Sequence, residues 1–172
     1  MNKIHHNSMK EIFYIEPRVL KDDRGCFFES FNEKYFKKFN FVQDNESHSK
    51  YGVLRGIHFQ NSPYEQSKLV RVISGEIQDI AIDLRPNSKT YKKYFSIILN
   101  DKNKKQLFIP KGFGHAFLTL SSYATVLYKV DQFYNKNYDS GIKYDDPSLS
   151  IKWRLNNSEI ILSNKDKNLP FL

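Results

Sequence analysis

The run GVLRGIHFQ at residues 52–60 sets Arg55 and His58 three positions apart in a segment that is otherwise apolar and strand-like. An imidazole is suited to moving protons because its ordinary pKa lies near neutrality. A guanidinium is suited to holding an anion through paired N–H donors. Two further runs carry groups of the same kind: Lys68 opens KLVRVISGE (68–76), and His115 sits in IPKGFGHAF (109–117). Gathered in one interior, Arg55, His58, Lys68 and His115 would form a cationic site, fit for an anionic substrate or for an oxyanion that develops during reaction. Each also has a plainer reading: Arg55 as a strand-edge arginine paired with Glu29 or Asp83, Lys68 as an edge charge that discourages aggregation, the histidines as hydrogen-bonded core residues.

Strand patterns dominate the chain that must position these groups. Residues 68–84 read as two strands around Ser74, Gly75 and Glu76, with Ile80, Ile82 and Leu84 on one face and Asp79, Ala81 and Asp83 on the other. Further strands are predicted at 13–20, 25–31, 91–100, 105–110, 115–120 and 124–134, separated by Gly, Pro, Asn or Asp clusters. Many short strands between turns predict a barrel or sandwich. One short helix is predicted over 32–40, with Asn32 as N-cap and Phe36 and Phe39 on a shared face. Residues 135–159 read as irregular structure packed around Trp153.

Taken together, LRGIHFQ, KLVRVISGE and IPKGFGHAF resemble the two motifs of the cupins, which implies an all-β fold: the double-stranded β-helix, or cupin jelly roll, with a few short peripheral helices. The departures are informative. Where such motifs bring two histidines and then a glutamate to a metal, this sequence has His58, Gln60 and Lys68, and the asparagine that often closes the second motif is Thr119. An ammonium cannot ligate a cation and repels it, so no metal is expected.

Eight blocks carry a closer resemblance: DDRGCFFESF (22–31), FVQDN (41–45), GVLRGIHFQ (52–60), KLVRV with GE (68–76), IPKGFGHAF (109–117), VLYKVDQFY (126–134), DDPSL (145–149) and LSNKD (162–166). In this order they resemble the dTDP-4-dehydrorhamnose 3,5-epimerases, from about Met9 to Leu172. The resemblance implies a cofactor-free isomerase acting on a nucleotide-linked 4-keto-6-deoxysugar, on the route to dTDP-rhamnose and the polysaccharides built from it. A C4 carbonyl acidifies the protons on C3 and C5, so the protein must supply a base on one face, an acid on the other, and donors for the enolate oxygen.

By that match His58 is the base, Asp166 the carboxylate that orients it, Tyr128 the acid on the opposite face, and Lys68, with His115 as a substrate contact, stabilises the enolate oxygen or holds the sugar hydroxyls. Arg24, Glu29, Gln43, Asn45, Arg55, Gln60 and Lys165 match substrate-contacting positions, with the arginines suited to a diphosphate. Tyr134 matches an aromatic that stacks on the nucleotide base. The family often has a Glu-Arg pair before the GI dipeptide and a DWP further on; here Asp139 and Ser140 stand in the first place and KWR (152–154) in the second. Those departures leave a GDP-linked 4-keto-6-deoxyheptose, or inversion at C3 alone, as alternatives within the fold. A 3,4-ketoisomerase resembles the chain less, and a non-catalytic sugar-nucleotide-binding cupin is the alternative from another class.

A chain of 172 residues with 40% hydrophobic and 15% aromatic content is the size of one domain. Residues 9–172 are read as that domain, and residues 1–8 as a loose extension carrying His5 and His6; His48 is assigned to solvent. The formal charge of +8 is scattered through loop-like stretches rather than gathered in a stripe, which favours an anionic small molecule over nucleic acid. No apolar run approaches the length of a membrane helix, and a cytoplasmic protein with no membrane partner is expected. The single Cys26 reads as a partly buried, inert thiol. A homodimer is implied by the resemblance.

Overall fold

The computed structural model describes residues 2–6, 9 and 11–172. In chain order its strands are β1 (Lys3–His6), β2 (Phe13–Glu16), β3 (Leu20–Asp22), β4 (Gly25–Phe27), β5 (Gln43–Lys50), β6 (Leu54–Gln60), β7 (Lys68–Ser74), β8 (Glu76–Asp83), β9 (Tyr94–Asn100), β10 (Gln106–Ile109), β11 (Phe113–Thr119), β12 (Tyr123–Val130) and β13 (Asp139–Gly141). One α-helical turn, α1 (Asn164–Lys167), follows. A six-stranded sheet has the order β1-β2-β10-β7-β12-β5 and a five-stranded sheet the order β13-β6-β11-β8-β9, while β3 and β4 form a separate ribbon. This is the expected all-β jelly roll.

Two faces of each sheet are covered, and this explains why the central strands read as nearly continuous apolar runs. Between the sheets, Val70, Val72, Leu107 and Val126 of one pack against Ile77, Ala81, Leu99 and Phe117 of the other. Outside the five-stranded sheet, Ile57, Ile80, Ile82 and Ala116 pack under Ile142, Leu149, Ile151 and Trp153. The faces of β8 therefore divide as the sequence predicts, with Asp79 and Ala81 on the side that faces the interior. Outside the six-stranded sheet, Ile15, Leu69 and Phe108 lie beneath Phe31, Phe36, Phe39 and Phe41.

Several sequence expectations need correction. The helix predicted over 32–40 reduces to a 3-10 turn at Glu33–Tyr35, although Asn32 does cap it by accepting from the Lys34 N–H at 3.0 Å. So short a helix has little stability of its own. Docking Phe36 and Phe39 on Phe108 decides the backbone path instead. Cys26 is exposed rather than partly buried, on a two-stranded ribbon that pairs with neither main sheet. Lys3–His6, expected within a loose extension, pair with β2. His5 is not simply solvated, since its ring stacks on Tyr14 at 4.7 Å. The rest of that expected extension, residues 1, 7 and 8, lies outside the described residues.

Candidate active site

β6 and β11 are antiparallel neighbours in which His58 and His115 stand directly opposite each other, so their side chains share the interior face. Gly56 makes this pairing possible. It has φ +115°, and a Cβ there would meet the His115 carbonyl at 2.5 Å and the Ala116 Cα at 2.8 Å. The register of the pair shifts between His115 and Phe117. On the facing sheet, Tyr128 of β12 pairs with Val70 and Lys68 of β7 pairs with Val130, which makes Tyr128 and Lys68 diagonal neighbours. The Lys68 Nζ lies 5.9 Å from the Tyr128 ring centre, and His115 meets the edge of the same ring with centres 6.3 Å apart. One wall thus brings two imidazoles and the other a phenol and an ammonium.

Asp166 arrives from the C-terminus. The Leu54 N–H donates to the Ile161 carbonyl at 3.0 Å, which lays the C-terminal segment along the start of β6. Ser163 then caps α1, its Oγ accepting from the Asp166 N–H at 3.0 Å. That turn delivers the buried Asp166 carboxyl to His58, with Nε2 and Oδ1 2.6 Å apart. Burial works to raise the Asp166 carboxyl, but hydrogen bonds from His58, Ser163 and the Gly56 N–H outweigh it and hold it below its ordinary value. An ionised carboxylate only accepts, so His58 donates from Nε2 and keeps Nδ1 free to take a proton.

His115 has a partner of the same kind, which sequence reading missed. Its Nε2 lies 2.6 Å from Oδ1 of Asp79, a residue with no exposed surface. Burial pushes the His115 imidazole below its ordinary pKa despite Asp79, which favours its neutral form. Lys68 is also buried, and desolvation lowers it to about 8, opposed by the charges of Asp79 and Asp139. Burial pushes Tyr128 up, opposed by Arg55, so its phenol stays protonated at neutral pH. The interior is not the simply cationic one that the sequence predicts: Asp79, Asp139 and Asp166 are interleaved with the cations.

His58, Lys68, His115, Tyr128 and Asp166 share one cavity of about 620 Å³, lined also by Arg55, Gln60, Gln66, Phe117, Tyr134, Asp139, Ser163 and Lys165. Arg55 is held at its mouth, donating to Ser49 Oγ at 3.0 Å and to the His48 carbonyl at 3.1 Å. It pairs with neither Glu29 nor Asp83. Gln43 and Asn45 lie on β5, whose alternating exposure puts them on the same face as the lining residue Ser47. Their side chains are joined at 2.7 Å.

Gln60, expected to contact substrate, lines the cavity. Its amide is committed to backbone, donating to the Tyr64 and Phe133 carbonyls and accepting from the Asn135 N–H at 2.6 Å. It pins the loop that presents Tyr134. Lys165 and Tyr134 both reach Asp139, the residue noted in the sequence only as a departure. Arg24 and Glu29 are not brought to the cavity. Arg24 is exposed on the β3–β4 ribbon and paired with Asp22, and Glu29 accepts from Asn32.

Among the described residues no three His, Cys, Asp or Glu side chains converge as a metal site, each interior histidine being engaged by its own aspartate. No helix of the described residues is long and apolar enough to cross a membrane.

Comparison with known proteins agrees with this geometry. The relative from Methanothermobacter thermautotrophicus named dTDP-4-dehydrorhamnose 3,5-epimerase is 49% identical over 94% of this chain and 89% of its own length. The Bacillus anthracis dTDP-4-dehydrorhamnose 3,5-epimerase, solved with TDP and PPi bound, superposes with a TM-score of 0.95 at 42% identity over 100% of both chains. A Legionella pneumophila 3,5-epimerase in complex with dTDP-4-keto-L-rhamnose gives 0.95 at 40% identity, covering 99% of this chain and 93% of that one. With a family model that matches residues 6–172 from end to end, the chain belongs to the dTDP-4-dehydrorhamnose 3,5-epimerase family.

Proposed function

We propose that the chain epimerises C3 and C5 of dTDP-4-keto-6-deoxyglucose, giving dTDP-4-keto-L-rhamnose, by proton transfer through an enolate. The observation that carries this reading is the placement of the His58–Asp166 pair and of Tyr128 on opposite walls of one cavity, with the buried Lys68 beside the phenol. His58 Nδ1 takes the proton from the carbon next to the carbonyl. The electron pair moves onto the C4 oxygen, where the Lys68 ammonium stabilises it. Tyr128 returns a proton to the other face of the same carbon, which inverts the centre. Asp166 stabilises the imidazolium meanwhile.

The nucleotide end is assigned to the mouth: Arg55 and Lys165 to the diphosphate, Tyr134 to the base, Gln43 and Asn45 to polar groups of the nucleoside. No cofactor is required, because the substrate's own carbonyl supplies the electron sink. The cytoplasmic assignment rests on the substrate class, since a nucleoside diphosphate sugar does not cross a bilayer unaided. Residues 9–172 are taken as one domain.

The expected homodimer gains its support from the ribbon. An isolated two-stranded hairpin is marginal in water, yet β3–β4 exposes Leu20 at 51% and Phe27 at 72%. We read this ribbon as docking on a second copy, where it would carry Arg24 and Glu29 toward that copy's cavity. Replacing Phe27 by Glu is expected to shift the species in light scattering toward a monomer at micromolar concentration and to raise KM about 10-fold or more. An unchanged dimer with unchanged KM would remove the ribbon from both roles.

The test of the reaction is proton NMR in D2O with dTDP-4-keto-6-deoxyglucose and, in parallel, a GDP-linked 4-keto-6-deoxyheptose, whose inclusion answers the departures at Asp139, Ser140 and Arg154. Deuterium at both C3 and C5 of the dTDP compound supports the proposal; deuterium at C3 alone corrects it to a single inversion, and exchange only in the GDP compound corrects the substrate. The Tyr128→Phe variant separates the two proton transfers. Inversion is expected to fall about 100-fold or more, while the base still exchanges deuterium on its own face.

A further inference from the structure

Asp139 opens the edge strand β13 and stands opposite Gln60 of β6, two pairing steps from the contact between Gly141 and His58. Its side chain is only 17% exposed, and a single oxygen, Oδ2, accepts from the Tyr134 hydroxyl at 3.0 Å and from the Lys165 ammonium at 2.5 Å. Those two side chains belong to different pieces of the cavity wall. Tyr134 lies on the loop after β12, and Lys165 on α1 immediately before Asp166. Both are more than half exposed, so each would otherwise sample several rotamers.

Gln60 already fixes the backbone on either side of Tyr134. What it leaves free is the direction of the ring, and Asp139 fixes that. An acid beside an anion-binding lysine looks unfavourable on charge alone, because it competes with a diphosphate for the same ammonium. The geometry implies that the competition is outweighed: the bridge holds an aromatic plane and a cation in fixed relation across the mouth before the substrate arrives.

We propose that Asp139 is a positioning residue for the nucleotide end of the substrate, bridging Tyr134 to Lys165, with no part in proton transfer. The inference rests on the reading under Proposed function for the identity of the nucleotide, not for the bridge itself. Removal of the bridge frees two side chains that binding must then immobilise, at a penalty equivalent to about 5- to 30-fold in affinity.

The test is calorimetric binding of dTDP alone, together with steady-state kinetics, for wild type and for Asp139→Ala, Asp139→Asn, Tyr134→Phe and the Asp139→Ala/Tyr134→Phe pair. Asp139→Ala is expected to weaken dTDP binding and raise KM about 10-fold, with kcat within about 3-fold of wild type. Asp139→Asn, which keeps an acceptor for the hydroxyl but loses the charge, is expected to fall between. Tyr134→Phe should give part of the same loss, and the double variant should be no worse than Asp139→Ala alone. Tighter dTDP binding in Asp139→Ala would mean that the acid acts only as a repelling charge, and a fall in kcat at unchanged KM would place it in the chemistry; either overturns the proposal. If wild type binds dTDP yet epimerises nothing, the reaction assigned above fails while the dTDP titrations still decide the role of Asp139.

Discussion

His58→Asn is expected to lower kcat by about 1,000-fold or more, the upper part of the range for a general base that has no substitute, while dTDP binds within about 3-fold of wild type. The expectation follows from the two nitrogens of one ring. Nε2 is occupied by Asp166 at 2.6 Å, so the proton of the substrate must go to Nδ1. An asparagine amide can still donate to Asp166, which leaves the carboxylate satisfied and the end of α1 in place. It cannot take up a proton near pH 7. Deuterium exchange at C3 and C5 should therefore vanish together with turnover, because abstraction precedes both inversion and washout. A variant that still exchanged deuterium at a tenth of the wild-type rate would show that another group is the base. A variant with full biological function would favour the non-catalytic, sugar-nucleotide-binding alternative.

Replacing Asp166 by Asn attacks the same step from the other side. The wild-type carboxyl is held below its ordinary value, so it stays ionised through the neutral range and fixes the proton on Nε2. An amide offers either an oxygen or an N–H to the ring. It stabilises the imidazolium less and fixes the tautomer less firmly, and a loss smaller than that of His58→Asn is expected.

Local chemistry made some of this legible in the sequence. The β7–β8 turn was readable because it is contained in three residues, with Gly75 at φ +82° between Ser74 and Glu76. The pairing of His58 with Asp166 was readable only through family resemblance, since 108 positions separate them. Strand β5 was missed for a physical reason: QDNESHSK is polar on both faces, one turned to solvent and the other toward the cavity, so no apolar alternation marks it. Asp79 was seen as one member of a strand face and not as the partner of His115. That contact is a diagonal across β8 and β11, fixed by a register in which Asp79 faces Phe117 and Ala81 faces His115. Asp139 registered only as a departure, because its role depends on bringing β13, the loop after β12 and α1 together. Resemblance named positions, while non-local register decided what each of them touches.

Lys68→Met is expected to move stability and activity in opposite directions. In the fold the ammonium has almost no access to water, and burial brings it from 10.5 down to about 8, a penalty of about 3 kcal/mol against the charged form. Below pH about 8 both folded and unfolded chains carry the proton, and the penalty is fully present. As pH rises from 8 toward 10.5 the folded chain gives up its proton first, and the penalty disappears. A thioether of similar length fills the space without the charge. The variant should accordingly be more stable than wild type by about 1–3 kcal/mol at pH 7 in denaturant titrations, with the advantage shrinking above pH 8. Its kcat should fall about 100- to 1,000-fold, the scale for removing one preorganised donor from a developing oxyanion. Wild-type kcat should itself decline above pH about 8 as the ammonium is lost. A Met variant that was inactive and also destabilised would mean that Lys68 holds the interior together, with Asp79 as its counter-charge. A variant that was stabilised and inactive would mean that the buried cation is maintained at a cost to the fold because the enolate oxygen requires it, in the place where a related barrel would put a metal ion.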